Sequence, residues 1–321
     1  LCAGPEVSAD KWYTVEAKSE YDAGTDMSTL TFSVDGSDAT IEYPGKALRH
    51  NASLWTIGHG FPGGFPNSLQ VRKGAIRNLE ICGQPLPRID GQNPLFTDSF
   101  TADPAFLVVG DTVYAYVGQD KAAPGGWFNM PGWLCYSSKD MIHWEPHGTV
   151  LKPDAFGYAV PTSAWAAQVV RADDGKYYFY VTLDDKNTKL HTVDVAVSDS
   201  PLGPFLPARK DGTPLVTDDM TPDSHRWNAD IDPTVLIDDD GTPWIAWGNG
   251  DCYMARLKKN MYEIDGEVKK VPLRNYSEGP WLMKRNDIYY IIYAADAPGV
   301  QEEQMAYSTA PSINGPWTYG G

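Results

Sequence analysis

Three carboxylates stand at comparable places in the chain, each just ahead of a run of strand-forming residues. They are Asp103 in "ADPAFLVV", Asp232 in "IDPTVLI" and Glu278 in "SEGPWLM". An ionised carboxylate is rarely carried toward a core without a partner or a task. One Asp before a Pro is an ordinary turn dipeptide. Three acids at matching places are harder to read that way. Held in one partly desolvated pocket, they would shift one another's pKa values and push at least one upward. A proton donor and a proton acceptor would then coexist at one pH, as cleavage of a glycosidic bond requires.

The elements that must bring them together are visible as repeats. Four segments align: "DPAFLVVGDTVYAYVG" from Asp103, "AAQVVRADDGKYYFYVT" from Ala166, "DPTVLIDDDGTPWIAWG" from Asp232 and "GPWLMKRNDIYYIIYA" from Gly279. Each reads as a strand, a tight polar turn and an aromatic-rich strand. A third strand and a shared ending follow: "CYSSKDMIHW", "VAVSDSPLGPF" and "MAYSTAPSINGPW", with "CYMARLKKNM" divergent. Helical periodicity is nearly absent. An all-β chain with repeats of this size predicts a β-propeller whose innermost strands line a central channel. Equivalent starts of those strands would meet at one mouth of the channel. In the second repeat Trp165 takes the place of the acid.

Ahead of the repeats, "GQPLPRIDGQNPLF" has the Pro and Gly content of a linker. The expected organisation is a β-sandwich over 1–85, a linker over 86–96 and the propeller over 97–321. The sandwich strands are read in "MSTLTFSVDGSDATIEYP", "ASLWTIGHG" and "GAIRNLEICG".

Charge narrows the partners. Forty-two acidic residues against 26 basic ones give a formal net charge of -16, which disfavours nucleic acid and anionic membrane surfaces. A neutral substrate fits better. The 11 Trp, 18 Tyr and 10 Phe can fill β-cores and also stack on sugar rings. No apolar run reaches membrane-spanning length. Cys2 and Cys82 could form one disulfide, while Cys135 and Cys252 lie in strand-like runs as buried thiols, and their spacing makes no zinc pattern. Asn51-Ala52-Ser53 and Asn275-Tyr276-Ser277 are glycosylation sequons. A secreted or periplasmic location is expected.

The segments "FTADPAFLVVGDTVYAYVG", "AWAAQVVRADDGKYYFYVT", "DIDPTVLIDDDGTPWIAWGN" and "NYSEGPWLMKRNDIYYIIYA" resemble successive blades of glycoside hydrolase family 43, from about Asn93 to the C-terminus. "GGWFNMPGWLCYSSKDMIHWEPHG" looks most like its arabinoxylan arabinofuranohydrolase and xylosidase branch. The resemblance implies a five-bladed propeller, of which four blades are visible, and single-displacement inversion. It implies Asp103 as general base, Glu278 as general acid, Asp232 as the group that tunes and holds the acid, and Trp165 in the sugar subsite. It implies no required cofactor, with calcium at the propeller centre as the one ion the family would bring. The implied partner is a neutral plant polysaccharide. The early region resembles part of a concanavalin A-like or laminin G-like sandwich, carried on "LWTIGHGFPGGFPNSLQVRKGAIRNLEICG". Two departures stand out. Gln119-Asp120 replaces a common His-Asp, which would alter a sugar contact. The chain stops at "GPWTYGG" before a fifth repeat, so it is expected to be incomplete relative to the working enzyme.

Other residues carry weaker signals. Phe128 and Asn129, in the Gly-rich "APGGWFNMPGW", could overhang the channel, or the loop could be pinned by its own aromatics. Asn249 could face the cavity or serve a turn, and His225 reads as a loop residue. "ADDG" and "DDDG" are read as hairpin turns rather than calcium loops, since the terminal Glu of such a loop is missing. Two competing functions remain open here. A carbohydrate-binding propeller without catalysis would not need a proton-transfer set. A retaining enzyme of the invertase and fructan-hydrolase type would carry a "WMNDPNG"-like opening, which this chain lacks.

Overall fold

The computed structural model describes residues 13–22, 24–44, 91, 94–123, 126–221, 226–299 and 303–321. Cys2, Cys82, the Asn51 sequon, His225, most of the linker and the later strands expected in the N-terminal region lie outside the described residues. The chain divides into two compact units.

In the first unit, β1 (Val15–Asp22), β2 (Met27–Val34) and β3 (Ser37–Pro44) form one antiparallel sheet in that order. Val34 faces Ser37 across a two-residue turn, with Asp35 at φ 47° and Gly36 at φ 80°. Two positive φ values define the type I′ turn, whose twist matches that of the strands it joins.

The second unit contains four antiparallel sheets of four strands, each in sequential order. The first is β4 (Phe100–Val109), β5 (Thr112–Asp120), β6 (Gly132–Ser138) and β7 (Glu145–Leu151). The second is β8 (Ala167–Arg171), β9 (Tyr177–Asp184), β10 (His191–Ser198) and β11 (Leu206–Pro207). The third is β12 (Thr234–Ile237), β13 (Pro243–Trp247), β14 (Cys252–Arg256) and β15 (Lys269–Val271). The fourth is β16 (Tyr276–Arg285), β17 (Ile288–Ala295), β18 (Gln304–Ala310) and β19 (Thr318–Tyr319). Each repeat read in the sequence is one sheet, and a fourth strand follows its ending, seven residues long in β7 and two or three in β11, β15 and β19. "ADDG" and "DDDG" are hairpin turns: Gly175 N–H donates to Ala172 O, and Gly241 N–H to Asp238 O.

Three cores lie between consecutive sheets. Tyr116, Trp133 and Cys135 meet Phe179, Val181 and Leu183. Tyr180, Val193 and Val195 meet Ile245, Trp247 and Leu257. Ala246, Cys252 and Met254 meet Leu282, Ile291 and Tyr293. Cys135 and Cys252 are buried free thiols. The middle sheets are covered on both faces, so β9 is buried almost throughout, whereas β17 alternates between buried and half-exposed residues. Among the described residues, β4 leaves Phe106 and Val108 exposed, and β18 leaves Met305 and Tyr307 exposed.

The first strands of consecutive sheets are neighbours. Buried side chains reach across and pin backbone groups. Val235 N–H donates to Gln168 Oε1 (2.6 Å), Asp232 N–H to Thr182 Oγ1 (2.9 Å) and Leu282 N–H to Thr234 Oγ1 (3.1 Å). These bonds set the level of one strand against the next. Thr234→Val keeps the volume but leaves Leu282 N–H unpaired in a buried seam. Unfolding in denaturant should show a loss of about 1–3 kcal/mol. A loss within error of zero would mean that packing alone sets this level.

Candidate active site

Asp103 and Asp232 share an uncommon backbone. Each precedes a proline, and each lies at positive φ, 52° and 58°. Proline disfavours helical conformations in the residue before it, and a left-handed residue other than Gly stores strain. Asp is among the residue types that tolerate this conformation best. The pairing of β4 with β5 breaks between Ala102 and Ala105, so the turn at Asp103-Pro104 interrupts the ladder. In β16 the break falls between Glu278 and Trp281, and the positive φ belongs to Gly279, at 63° before Pro280. Gly279 is therefore the backbone equivalent of the two aspartates. Glu278 sits one residue earlier, as Trp165 does in the second repeat. The acids occupy two adjacent levels, not one.

The offset brings them into contact through the backbone. Gly279 N–H donates to Asp232 Oδ2 at 3.0 Å, so Asp232 holds the peptide next to Glu278. Burial pushes the Asp232 carboxyl well above the usual range, and the charges of Glu278 and Asp103 push it further. Burial also raises Asp103, whose side chain is recessed at the strand end while still open to water. Glu278 is raised by burial first and then by Glu303, against a hydrogen bond from Asn249 that lowers it; Asp103 and Asp296 add smaller upward pushes.

Asn249 lies beside the acid: its Nδ2 donates to Glu278 Oε2 at 2.5 Å. Arg226 Nη1 donates to Asn249 Oδ1 at 2.6 Å. Behind Glu278, the Tyr276 hydroxyl donates to Gly248 O at 2.6 Å.

Trp165 anchors an aromatic wall. Its indole N–H donates to Asp184 Oδ1 at 2.8 Å, and its carbonyl accepts from Trp133 Nε1 at 2.7 Å. Phe128 meets it edge-on at 5.6 Å between ring centroids, and His191 lies 5.8 Å away on another side. Trp227 meets His191 edge-on at 4.7 Å. His191 Nε2 is 2.7 Å from Asp184 Oδ1 but out of line for a hydrogen bond. Trp227 and Trp127 are more than half exposed, at 55% and 56%, so indole surface stands open to solvent on this wall.

Two sequence candidates are bound up locally. Gln119 Nε2 donates to Ser99 Oγ at 2.9 Å. Asn129 N–H donates to Asp120 Oδ1 at 3.1 Å and its side chain reaches Lys121 O at 3.5 Å, so its bonds stay within its own loop. Arg226, Glu303, Asp184 and Trp227 were not singled out in the sequence. Glu303 could have been found from "QEEQ" ahead of a strand, while Arg226 carries no motif. A groove of about 430 Å³ lined by Trp244, Arg256 and Trp317 lies between the third and fourth sheets, and none of the three acids lines it. Among the described residues, no group of three or more His, Cys, Asp or Glu side chains is arranged to hold a metal ion.

The "Glycosyl hydrolases family 43" model matches residues 92–320. A xylosidase/arabinosidase from Bacteroides ovatus is 29% identical over 276 residues, 71% of this chain and 79% of the relative. The solved structure of an alpha-L-arabinofuranosidase from Clostridium thermocellum superposes with a TM-score of 0.60 at 28% identity, covering 71% of this chain and 74% of that one. A beta-xylosidase/alpha-arabinofuranosidase from a compost metagenome, solved with xylotriose, gives a TM-score of 0.61 at 25% identity over 73% of this chain and 81% of that one. The family match runs through all four sheets and all three carboxylates, and the chain belongs to glycosyl hydrolases family 43: it is a glycosidase.

Proposed function

We propose that the enzyme removes α-L-arabinofuranosyl units from arabinoxylan or arabinan by single-displacement inversion. The observation that carries this reading is the joining of Asp232 to the peptide beside Glu278, with Asp103 close enough for its charge to act on both. Asp103 is the general base: it takes a proton from water as the water oxygen attacks the anomeric carbon. Glu278 is the general acid: it gives its proton to the glycosidic oxygen as that C–O bond breaks. Asp232 holds the Gly279 peptide and is the group that tunes the acid, since the two neighbouring carboxyls disfavour each other's ionisation. Inversion needs the acid and base carboxyls about 6.5–9.5 Å apart, leaving room for the water. Trp165, Phe128 and the open indole of Trp227 offer faces for pentose rings. Gln119, Asn129 and Asn249 stand around the same strand ends. Every proton in this scheme is carried by a side chain of the chain or by water. No step of this scheme runs through a central calcium.

The four sheets are read as blades of a five-bladed propeller, following a sandwich over 1–85 and a linker over 86–96. In support, β17 is apolar on both faces in sequence although one face is only half-buried, and β4 exposes Phe106 and Val108. A further blade would cover such surfaces. A polymeric substrate outside the cell implies a secreted or periplasmic enzyme.

β-Xylosidase activity is the second reading, favoured by the paired activities in the relatives' names. Hydrolysis of 4-nitrophenyl α-L-arabinofuranoside and β-D-xylopyranoside, with product anomers followed by NMR, decides between them. The expected result is faster release of arabinose with inverted configuration. Faster release of xylose favours the second reading, and retention of configuration rules out single displacement.

A further inference from the structure

We propose that Arg226 is a positioning residue for the general acid: it locks the Asn249 amide so that its N–H meets Glu278 Oε2, leaving Oε1 to carry the transferred proton. The inference rests on the reading of Glu278 as the acid. A guanidinium can only donate hydrogen bonds, whereas an amide presents a donor at one end and an acceptor at the other. With Arg226 Nη1 2.6 Å from Asn249 Oδ1, the amide has one acceptable orientation, and Nδ2 must face Glu278. Without the cation the two orientations become alternatives. In the flipped one, Asn249 Oδ1 would accept the proton that Glu278 has to release.

The surrounding backbone holds both ends of this relay. Asn249 is buried, and its N–H donates to Ala229 O at 2.9 Å. Ala229 N–H in turn donates to Arg226 O at 3.2 Å, so one short turn carries the cation and braces the amide. Gly250 N–H donates to Ser277 O at 2.6 Å, directly before Glu278. Gly250 lies at φ +79°, and a Cβ there would meet Arg226 Cζ at 2.9 Å. The absence of a side chain at Gly250 leaves the guanidinium its place.

The electrostatic setting makes the amide's orientation matter. The groups whose charge raises Glu278 are Glu303 ahead of β18, Asp103 of β4 and Asp296 after β17, and Glu278 in turn raises Asp232 ahead of β12 and Tyr276 of its own strand. All are acidic groups, and the carboxylates resist ionisation of Glu278. The Asn249 N–H is the contact that favours it. A flip would turn that contact into one that retains the proton.

The test uses the full chain with Arg226→Met, compared on two substrates of the same glycone: a 4-nitrophenyl glycoside, which needs little acid assistance, and a methyl glycoside, which needs much. On the methyl glycoside, kcat should fall about tenfold. On the nitrophenyl glycoside it should change less than about threefold, with KM steady and the alkaline limb of kcat/KM moved to higher pH. Arg226→Lys should recover most of the loss, and adding Arg226→Met to Asn249→Ala should change nothing further. Wild-type kinetics in Arg226→Met, an equal loss on both substrates with an unmoved limb, or full additivity with Asn249→Ala would each overturn the relay. If Arg226→Met does not fold, Arg226→Leu, which likewise offers no donor, gives the same comparison. Glu278→Gln is assayed alongside. If it retains methyl glycoside hydrolysis, the acid reading falls and the relay with it. If it is inactive while Arg226→Met behaves as wild type, the relay alone falls.

Discussion

Asp103→Asn should lower kcat by about two to four orders of magnitude on every substrate, with thermal stability and KM close to wild type. The amide matches the carboxylate in shape but cannot accept the proton of the attacking water. Asn is also the replacement that the backbone tolerates, because the position lies at φ 52° before a proline. Alanine would confound the result by adding strain to the loss of the base. Activity within tenfold of wild type would remove Asp103 from the role of base. The opposite case, near-wild-type activity in Asp232→Asn, would show that the peptide bond of Gly279 does not need a charged acceptor.

Glu278→Gln should depend on the leaving group. Loss on oligosaccharides should reach about two to four orders of magnitude, and loss on a 4-nitrophenyl glycoside should be far smaller. The pH profile should change with it. As the proposed acid Glu278 works protonated, and burial and Glu303 hold its carboxyl above the ordinary range. Activity in the wild type should therefore persist above the pH at which an ordinary Glu ionises, and fall as Glu278 loses its proton. As the proposed base Asp103 works ionised, so activity should rise as it ionises on the acid side, at a pH raised by burial. In Glu278→Gln the alkaline limb should vanish and the acid limb remain. Glu303→Gln, with one repelling charge removed, should move the alkaline limb to lower pH. A limb unmoved in Glu303→Gln and still present in Glu278→Gln would mean that another group sets it.

The three carboxylates could be read from sequence because they precede strand runs that repeat, and repetition converts distance along the chain into nearness in space. The strand-turn-strand pattern was equally open, since "ADDG" and "DDDG" announce their turns. The offset between Glu278 and the two aspartates is a property of the backbone, where the positive φ falls at Gly279. Letters aligned on Pro put Glu278 one place early, but they do not say which residue turns the chain. Arg226 was invisible for a different reason. Its partner, Asn249, lies on the far side of a whole hairpin, and nothing in "HRWNAD" distinguishes a cation that orients an amide from one that faces water. Gln119 and Asn129 show the converse. Both have side chains suited to sugar contacts, yet their described bonds go to Ser99 and to their own loop.

Every first strand of the four sheets begins at the acids' end and finishes in a hairpin at the other. Those hairpins centre on Gly110, Asp174, Asp240 and Asn286. The two ends thus answer to different constraints. At one, a displaced backbone atom moves a carboxylate. At the other, the tips at Asp174 and Asp240 are held by local hydrogen bonds within the turn. These tips are natural points for engineering. A peptide tag, a surface tether or an inserted binding module could be grafted there, giving an immobilised or targeted enzyme in which the end that carries the three acids is left free.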